Sequence, residues 1–528
     1  MKIDASGPRA WRPPELAALA LTALVFGLNV YRATSQSITH DEAFAYHRVV
    51  TWSWLDIFTL FRDCHHLLNS YLSKASVELL GLSELSLRLP SLLGGLLYLV
   101  VVLRLTRHLF ASPWTVLLAV ALLVLDANLL DHMSAARGYG LGMAFLSLAA
   151  LEMLLVLGSP GEVGMPRERR HLLLAGVALA LSVASNLTYA IPGSAFSMVF
   201  LGMLWSDAPP GQGRETIRAW FRHLMIPALA TFAVTAVPLV NMRLRMFSFG
   251  SDTLAQAEQA IVAGSFWRRG GLRAVLAPER WRAFTFGAAH AFVMLVLVLT
   301  AIALASGAAR RLRTGSREDA KTRPPLKTGL ALMGGGLLLT IGFMVAAHTI
   351  AGIRYPEARM GVWCLPLTYL CALCLAGCAW RRTLLRATVA FPLLAFCVAA
   401  LVGDLLAFDT THYETWWYDR ASRRYVELIR ERRASQIGHP VRVGATWIFE
   451  PSFNFYRIRF GLAWMARLDR KGPVGRFDYY VLAGDDTVLI ERLGLKEIAR
   501  DNMAGSVLAE PTSAQTAATG LPGQDRHN

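Results

Sequence analysis

Acidic residues are scarce in this chain. Of 528 residues, 37 are Asp or Glu against 53 Lys or Arg, so the formal net charge is +16. Charged residues make up only 17% and hydrophobic ones 54%, with a mean hydropathy of +0.40. That balance excludes an ordinary soluble globular domain and fits a polytopic membrane protein. The basic residues are scattered between apolar runs rather than gathered on one domain, which argues against a nucleic-acid partner. They suit cytoplasmic loops instead. Cysteine is sparse too. Of Cys64, Cys364, Cys371, Cys374, Cys378 and Cys397, five lie in apolar runs, so no disulfide framework is implied. The first apolar run lacks a small-residue cleavage site and reads as a retained anchor.

What is present is a series of long apolar runs. A bilayer core takes about 20 apolar residues per helix, and on that rule the sequence predicts about eleven spans. They lie near 14–31, 86–105, 113–130, 138–157, 171–188, 190–206, 223–241, 285–307, 328–348, 361–380 and 383–406. Lys2, Arg9 and Arg12, and the basic groups of alternate loops, go to the cytoplasm in one consistent threading. The same threading puts 32–85, 131–137, 242–284, 349–360 and 407–528 outside. The fold class expected is therefore an all-α polytopic membrane protein with a small extramembrane α/β domain near the C-terminus. Residues 1–406 form the membrane domain, with interfacial helices in 32–85 and 242–284. Residues 407–510 form the soluble domain, with a helix at Leu428–Arg433, strands at Val441–Phe449 and Tyr479–Leu482, and a turn with helix or strand at Ile490–Asn502. Residues 511–528 have the composition of a disordered tail.

Four polar clusters fall at helix ends on the outer side of that threading. They are His40-Asp41-Glu42, Asp63-Cys64-His65-His66, Asp131-His132 through Arg137-Gly138-Tyr139, and Arg354-Tyr355-Pro356-Glu357-Ala358-Arg359. Ionisable groups beside lipid are functional candidates by default. Arg354 and Arg359 run against the basic bias, since they sit on the side where it does not place arginines. Guanidiniums at headgroup depth can hold a phosphate by paired, charge-assisted bonds. A neighbouring carboxylate can take a proton from an attacking hydroxyl. Acids with His65 or His66 can also hold a divalent metal, although adjacent histidines on a helix point about 100° apart. Cys371-Cys374-Cys378 has the spacing of cluster ligands, but within an apolar run it reads as packing. The competing reading of the whole chain is a transporter or flippase. That would place charges or helix breaks near the bilayer midplane, as Asp126, Pro192 and Pro238 allow.

An acidic pair in the first outer loop resembles the signature of the GT-C membrane glycosyltransferases, in the bacterial branch related to protein O-mannosyltransferases and the lipid A aminoarabinose transferase. His65 through Leu72 is similar to that family's His-Pro-Pro-Leu segment, with both prolines missing. Gly81 through Ser91 resembles its run into the second span, Ala136 through Leu141 its Arg-x-Tyr entry to the fourth, and Arg354-Tyr355 its Arg-Tyr pair before a late span. The resemblance covers 35–150 and 349–370 and leaves the tail unmatched. It implies inverting transfer of a sugar from a polyprenyl-phosphate donor to a lipid, glycan or protein acceptor, at the periplasmic face of a bacterial inner membrane. Asp41 would be the general base or an acceptor-positioning carboxylate, Glu42 its support or a metal ligand, and Arg137, Tyr139, Arg354, Tyr355 and Arg359 the phosphate-binding set. His65 or His66 would complete a metal or acceptor site.

Overall fold

A computed structural model describes residues 10–158, 166–242, 249–268, 280–314, 324–433 and 440–512. The apolar runs form helices. Eight are long and apolar enough to cross a membrane, or nine if one bent pair counts as a single span, among the described residues. This is a multi-pass membrane chain. The first span, α1 (Pro13–Ser35), starts on a proline with Glu15 closing its capping box.

Two of the expected spans differ in form. The run near 171–188 lies in helix Pro166–Ser185, whose first turn carries Arg167, Glu168, Arg169 and Arg170. The run near 223–241 is a helix only over Ile226–Thr235 and then tightens into a 3₁₀ turn, Val237–Asn241, around Pro238. Proline removes the donor that a longer helix would need.

The first outer segment folds as three α-helices and a π-helical turn, Tyr46–Val50, and the first of the helices carries the two acids. Helix α2 (His40–Ala45) is started by Thr39, whose hydroxyl accepts the Glu42 N–H while Glu42 accepts the Thr39 N–H. Helices α3 (Trp54–Thr59) and α4 (Leu67–Leu80) leave Leu55, Leu79 and Leu80 exposed, as interfacial elements would. Span α5 (Glu84–Leu109) follows. The third apolar run breaks into α6 (Pro113–Val124) and α7 (Ala127–Ser134), inclined by 63°. Asp126 caps the second piece by accepting the Leu129 N–H at 2.8 Å. Span α8 (Tyr139–Leu157) begins at Gly138, whose φ of +71° suits glycine alone; a Cβ there would fall against the Ser185 carbonyl. Of the second expected interfacial segment, Leu254–Phe266 is helical, while 243–248 and 269–279 lie outside the described residues.

The C-terminal part carries a four-stranded sheet in the order β1-β2-β4-β3: β1 (Val443–Ala445), β2 (Tyr479–Ala483), β3 (Lys496–Asp501) and β4 (Ser506–Glu510). Strands β1 and β2 run parallel, and the other pairs antiparallel. The strand expected over 441–449 is shorter, because the chain turns into helix Glu450–Arg459 led by Pro451. The helix expected at 428–433 starts earlier, at Ser422. The tail expected to be disordered lies outside the described residues from 513 onward. This sheet region does not keep its core to itself. Tyr425, Phe449, Phe453 and Tyr456 are buried in one cluster with Ile38, Ala43 and Tyr46 of the first outer segment and with Leu87 and Ala136.

Candidate active site

Two adjacent acids on α2 meet different surroundings, because consecutive helical residues diverge by about 100°. Glu42 turns inward and is fully buried. Arg88 of α5 donates to both of its oxygens, at 2.9 and 2.7 Å, and the Ala136 N–H adds a bond at 2.7 Å. Burial alone would raise the Glu42 carboxyl, but the Arg88 guanidinium and these bonds hold it below its usual range. Arg88 also donates to the carbonyls of Ala33, Gln36 and Ser37, so it fixes the whole turn from α1 into α2. Glu42 thus supports its neighbour by anchoring the helix rather than by presenting an oxygen to a ligand.

Asp41 faces the opposite way, with a side chain 22% exposed. Its Oδ2 lies 3.4 Å from Arg137 Nη2 and 3.3 Å from Arg359 Nη2. Arg137 also donates to the Asp41 carbonyl at 3.4 Å. Burial works to raise the Asp41 carboxyl, but the two guanidiniums outweigh it and hold the group ionised below the ordinary carboxylate range. Both arginines are positioned by special backbone. Arg137 occupies the connection between α7 and Gly138, and Arg359 sits in the 3₁₀ turn Ala358–Gly361, where Ala358 has a positive φ of 41°. The Arg359 guanidinium lies between the rings of Phe249, at 5.3 Å, and Trp416, at 5.5 Å. The Nε atoms of both Arg137 and Arg359 are buried without a hydrogen-bond partner among the described residues. Buried donors of that kind call for an acceptor.

An aromatic wall backs these three charges. The Tyr139 ring lies 5.7 Å from His66 and 4.9 Å from His132, and His132 meets Trp416 edge-on at 5.9 Å. His66 and His65 diverge, as expected of neighbours at a helix start. His66 turns to the arginines; burial first, then Arg137 and Arg359, keeps its ring neutral by lowering its pKa well below the usual value. His65 is boxed by Trp52, Phe61 and Tyr71, with Nδ1 3.2 Å from the Leu60 carbonyl, and burial lowers it to about 4. As placed, the pair does not converge on one ion, and a cation at His66 would face two guanidiniums. No group of three His, Cys, Asp or Glu suited to a metal occurs among the described residues.

Arg354 and Tyr355 stand apart from Asp41. Tyr355 pairs with Ser251 in an isolated antiparallel bridge and stacks on His348 at 4.5 Å. Arg354 is 3.4 Å from Asp252 and donates to the Gly250 carbonyl, half-exposed. This bridge borders a cavity of ≈ 700 Å³ lined by Ser251, Asp252, Gln256, Gln259 and Glu357 among others. Phe249, whose ring lies against Arg359, directly precedes Gly250 of the cavity lining. The structure therefore gathers Asp41, Arg137, Tyr139, Arg359 and His66, and places Arg354 and Tyr355 one step outward.

Sequence reasoning gave no role to Arg88, Trp416, Tyr418 or Asp419. Asp419 accepts from the His40 N–H at 2.5 Å and from the hydroxyls of Ser422 and Ser452, so the C-terminal part pins the start of α2. Nothing local in the sequence marks a contact 379 residues away.

No family model matches the chain, and no curated protein matches it. Solved structures do. The chain is similar to ArnT from Cupriavidus metallidurans in the apo state, at 15% identity and a TM-score of 0.40, over 94% of this chain and 98% of that one. The same figures hold for that ArnT bound to undecaprenyl phosphate. It is also similar to the archaeal oligosaccharyltransferase AglB from Archaeoglobus fulgidus in complex with an inhibitory peptide and a dolichol-phosphate, at 14% identity and a TM-score of 0.43, over 84% of this chain and 63% of that one.

Proposed function

We propose that this chain transfers a sugar from a polyprenyl-phosphate donor to a hydroxyl acceptor at the outer face of a bacterial inner membrane. The observation that carries the reading is one carboxylate, Asp41, held between Arg137 and Arg359 while the Nε edges of both arginines keep unused donors. The Nη2 of each guanidinium meets the base, and the Nε–H beside it, with no acceptor among the described residues, remains for a phosphate oxygen. The acceptor oxygen attacks the anomeric carbon from the face opposite the phosphate, which inverts that centre. The bond from the anomeric carbon to the phosphate oxygen breaks, and its electron pair leaves with the polyprenyl phosphate. The acceptor proton passes to Asp41. Fixed guanidiniums stabilise the charge that grows on the leaving phosphate, where preorganised donors contribute most. A weakly basic carboxylate suits the step, because the hydroxyl becomes acidic only as its bond to an oxocarbenium-like carbon forms. Tyr139 shapes the wall beside the phosphate; Arg354 and Tyr355 border the cavity that receives the donor headgroup.

Asp41→Asn tests the assignment in purified, folded protein supplied with polyprenyl-phosphate sugar. The amide keeps the shape and removes the base, so transfer is expected to fall at least about 100-fold while donor binding is retained. Transfer at the wild-type rate would overturn the role of Asp41, and release of labelled sugar across sealed vesicles without a new glycosidic bond would favour a transporter.

A further inference from the structure

A second set of side chains lies beside Asp41, on the surface shared by α2 and the C-terminal part. His40 and Phe44 flank Asp41 along α2 and stack at 6.1 Å with an interplanar angle of 11°. Trp447 meets His40 edge-on at 5.8 Å, and Tyr418 does so at 6.4 Å. The Arg470 guanidinium lies 5.0 Å from the Phe44 ring centre and 5.7 Å from that of Trp447. Arg48 approaches Phe44 at 5.0 Å.

Packing accounts for part of this. His40 Nδ1 is 2.7 Å from the Ile448 carbonyl, which ties α2 to the sheet region. Packing does not account for Trp447, which is 52% exposed with guanidinium and rings around it. The charges do not cancel either. Arg470 gives its Nε to Glu450 at 3.1 Å and its Nη2 to His40 Nε2 at 3.3 Å, keeping its other N–H groups, and Arg48 has no carboxylate partner among the described residues. Tyr418 meets His40, and Asp41 follows His40 directly on α2, so the patch adjoins the candidate site.

Aromatic faces rimmed by surplus guanidinium fit one ligand chemistry well. The C–H face of a pyranose packs on such rings, and an anionic substituent pairs with the arginines. We infer that Phe44, Trp447 and Arg470 form the acceptor subsite, and that it takes a sugar ring bearing a phosphate or carboxylate group. The inference rests on the transferase reading for its place in the reaction, since a ring held there presents hydroxyls toward Asp41.

The test uses the full chain in detergent, with glucose 6-phosphate, glucose and inorganic phosphate as probes and calorimetry or ligand-observed NMR as readout. Glucose 6-phosphate is expected to bind more tightly than either fragment. Trp447→Ala and Arg470→Ala are each expected to weaken it by about five- to tenfold, and Trp447→Phe to restore most of the loss. Equal binding of inorganic phosphate and glucose 6-phosphate, or indifference of the latter to Trp447→Ala, would overturn the subsite. So would a Trp447→Ala variant that loses binding only to phosphatidylglycerol liposomes, for then the patch is a membrane contact. Binding of polyprenyl phosphate, measured on the same variants, separates the two readings. Its absence alongside Trp447-dependent binding of the sugar phosphate would sink the donor assignment and keep the subsite.

Discussion

Asp41 and Glu42 are adjacent and chemically alike, yet one is free to meet a substrate and the other is sealed. The difference is the number of fixed partners. Glu42 has Arg88 and two backbone N–H groups, all buried; Asp41 has two guanidiniums at longer range and an open side. Arg88→Met would leave the Glu42 charge buried without its partner. A loss of about 3–5 kcal/mol of stability is expected, read as a lower melting temperature in detergent. Asp419 provides a pH signature. Burial raises its carboxyl to about 7, despite bonds from Ser452, the His40 N–H and Ser422. The folded chain therefore keeps a proton that the unfolded chain gives up near pH 4, so this group's contribution is greatest below that pH and is lost as pH rises to about 7. Asp419→Asn is expected to flatten the decline in melting temperature across that window, measured by thermal scans from pH 4 to pH 8. An unaltered slope would place the titration elsewhere.

The carboxylate proposed as the base rides on a helix of six residues, too short to hold itself. Helix α2 depends on its cap and on what packs over it. Thr39→Ala removes the hydroxyl that accepts the Glu42 N–H, which costs about 1 kcal/mol. Because Asp41 sits in the first turn, transfer is expected to fall more than donor affinity, a split visible as lower kcat at unchanged donor Kd. The bent pair α6–α7 does related work for the wall. Asp131, on α7, is paired by Arg32 of α1 and by Arg268 at 2.6 Å, which holds His132 and the start of the turn to Arg137 in place. These elements were partly legible. A Thr39-x-x-Glu42 box and a polar cluster at a span end are local patterns, readable within a few residues. The 63° bend, and which of His65 and His66 turns to the arginines, are not, because each depends on what the rest of the chain packs against them.

At the scale of the molecule, the site is assembled from segments more than 300 residues apart. Asp41 comes from the first outer segment, Arg137 from the entry to α8, Arg359 from a late turn, and Trp416 and Asp419 from beyond the last span. Hydropathy and the order of short motifs were enough to name the first three. The last two carry no periodic or motif signal, and the C-terminal part looked separable because its composition is that of a soluble domain. Its packing says otherwise, since Tyr425, Phe449 and Tyr456 share a core with Ile38 and Tyr46, and the Tyr456 hydroxyl accepts the Ile38 N–H at 2.7 Å. Truncation after residue 406 is therefore expected to expose that core and abolish transfer, even with all spans intact. The check is transfer by the truncated chain alone and after supplying residues 407–528 as a separate chain. Full activity of the truncated chain would refute the coupling.

The strand order has a consequence for biosynthesis. Strand β4 lies between β2 and β3, both of which leave the ribosome before it. Until residue 510 has emerged, the middle of that sheet is missing and its neighbours have bare edges. The helices can enter the bilayer as they are made, but the fastening of α2 from above must wait, so a nascent chain crosses most of its synthesis inserted and inert.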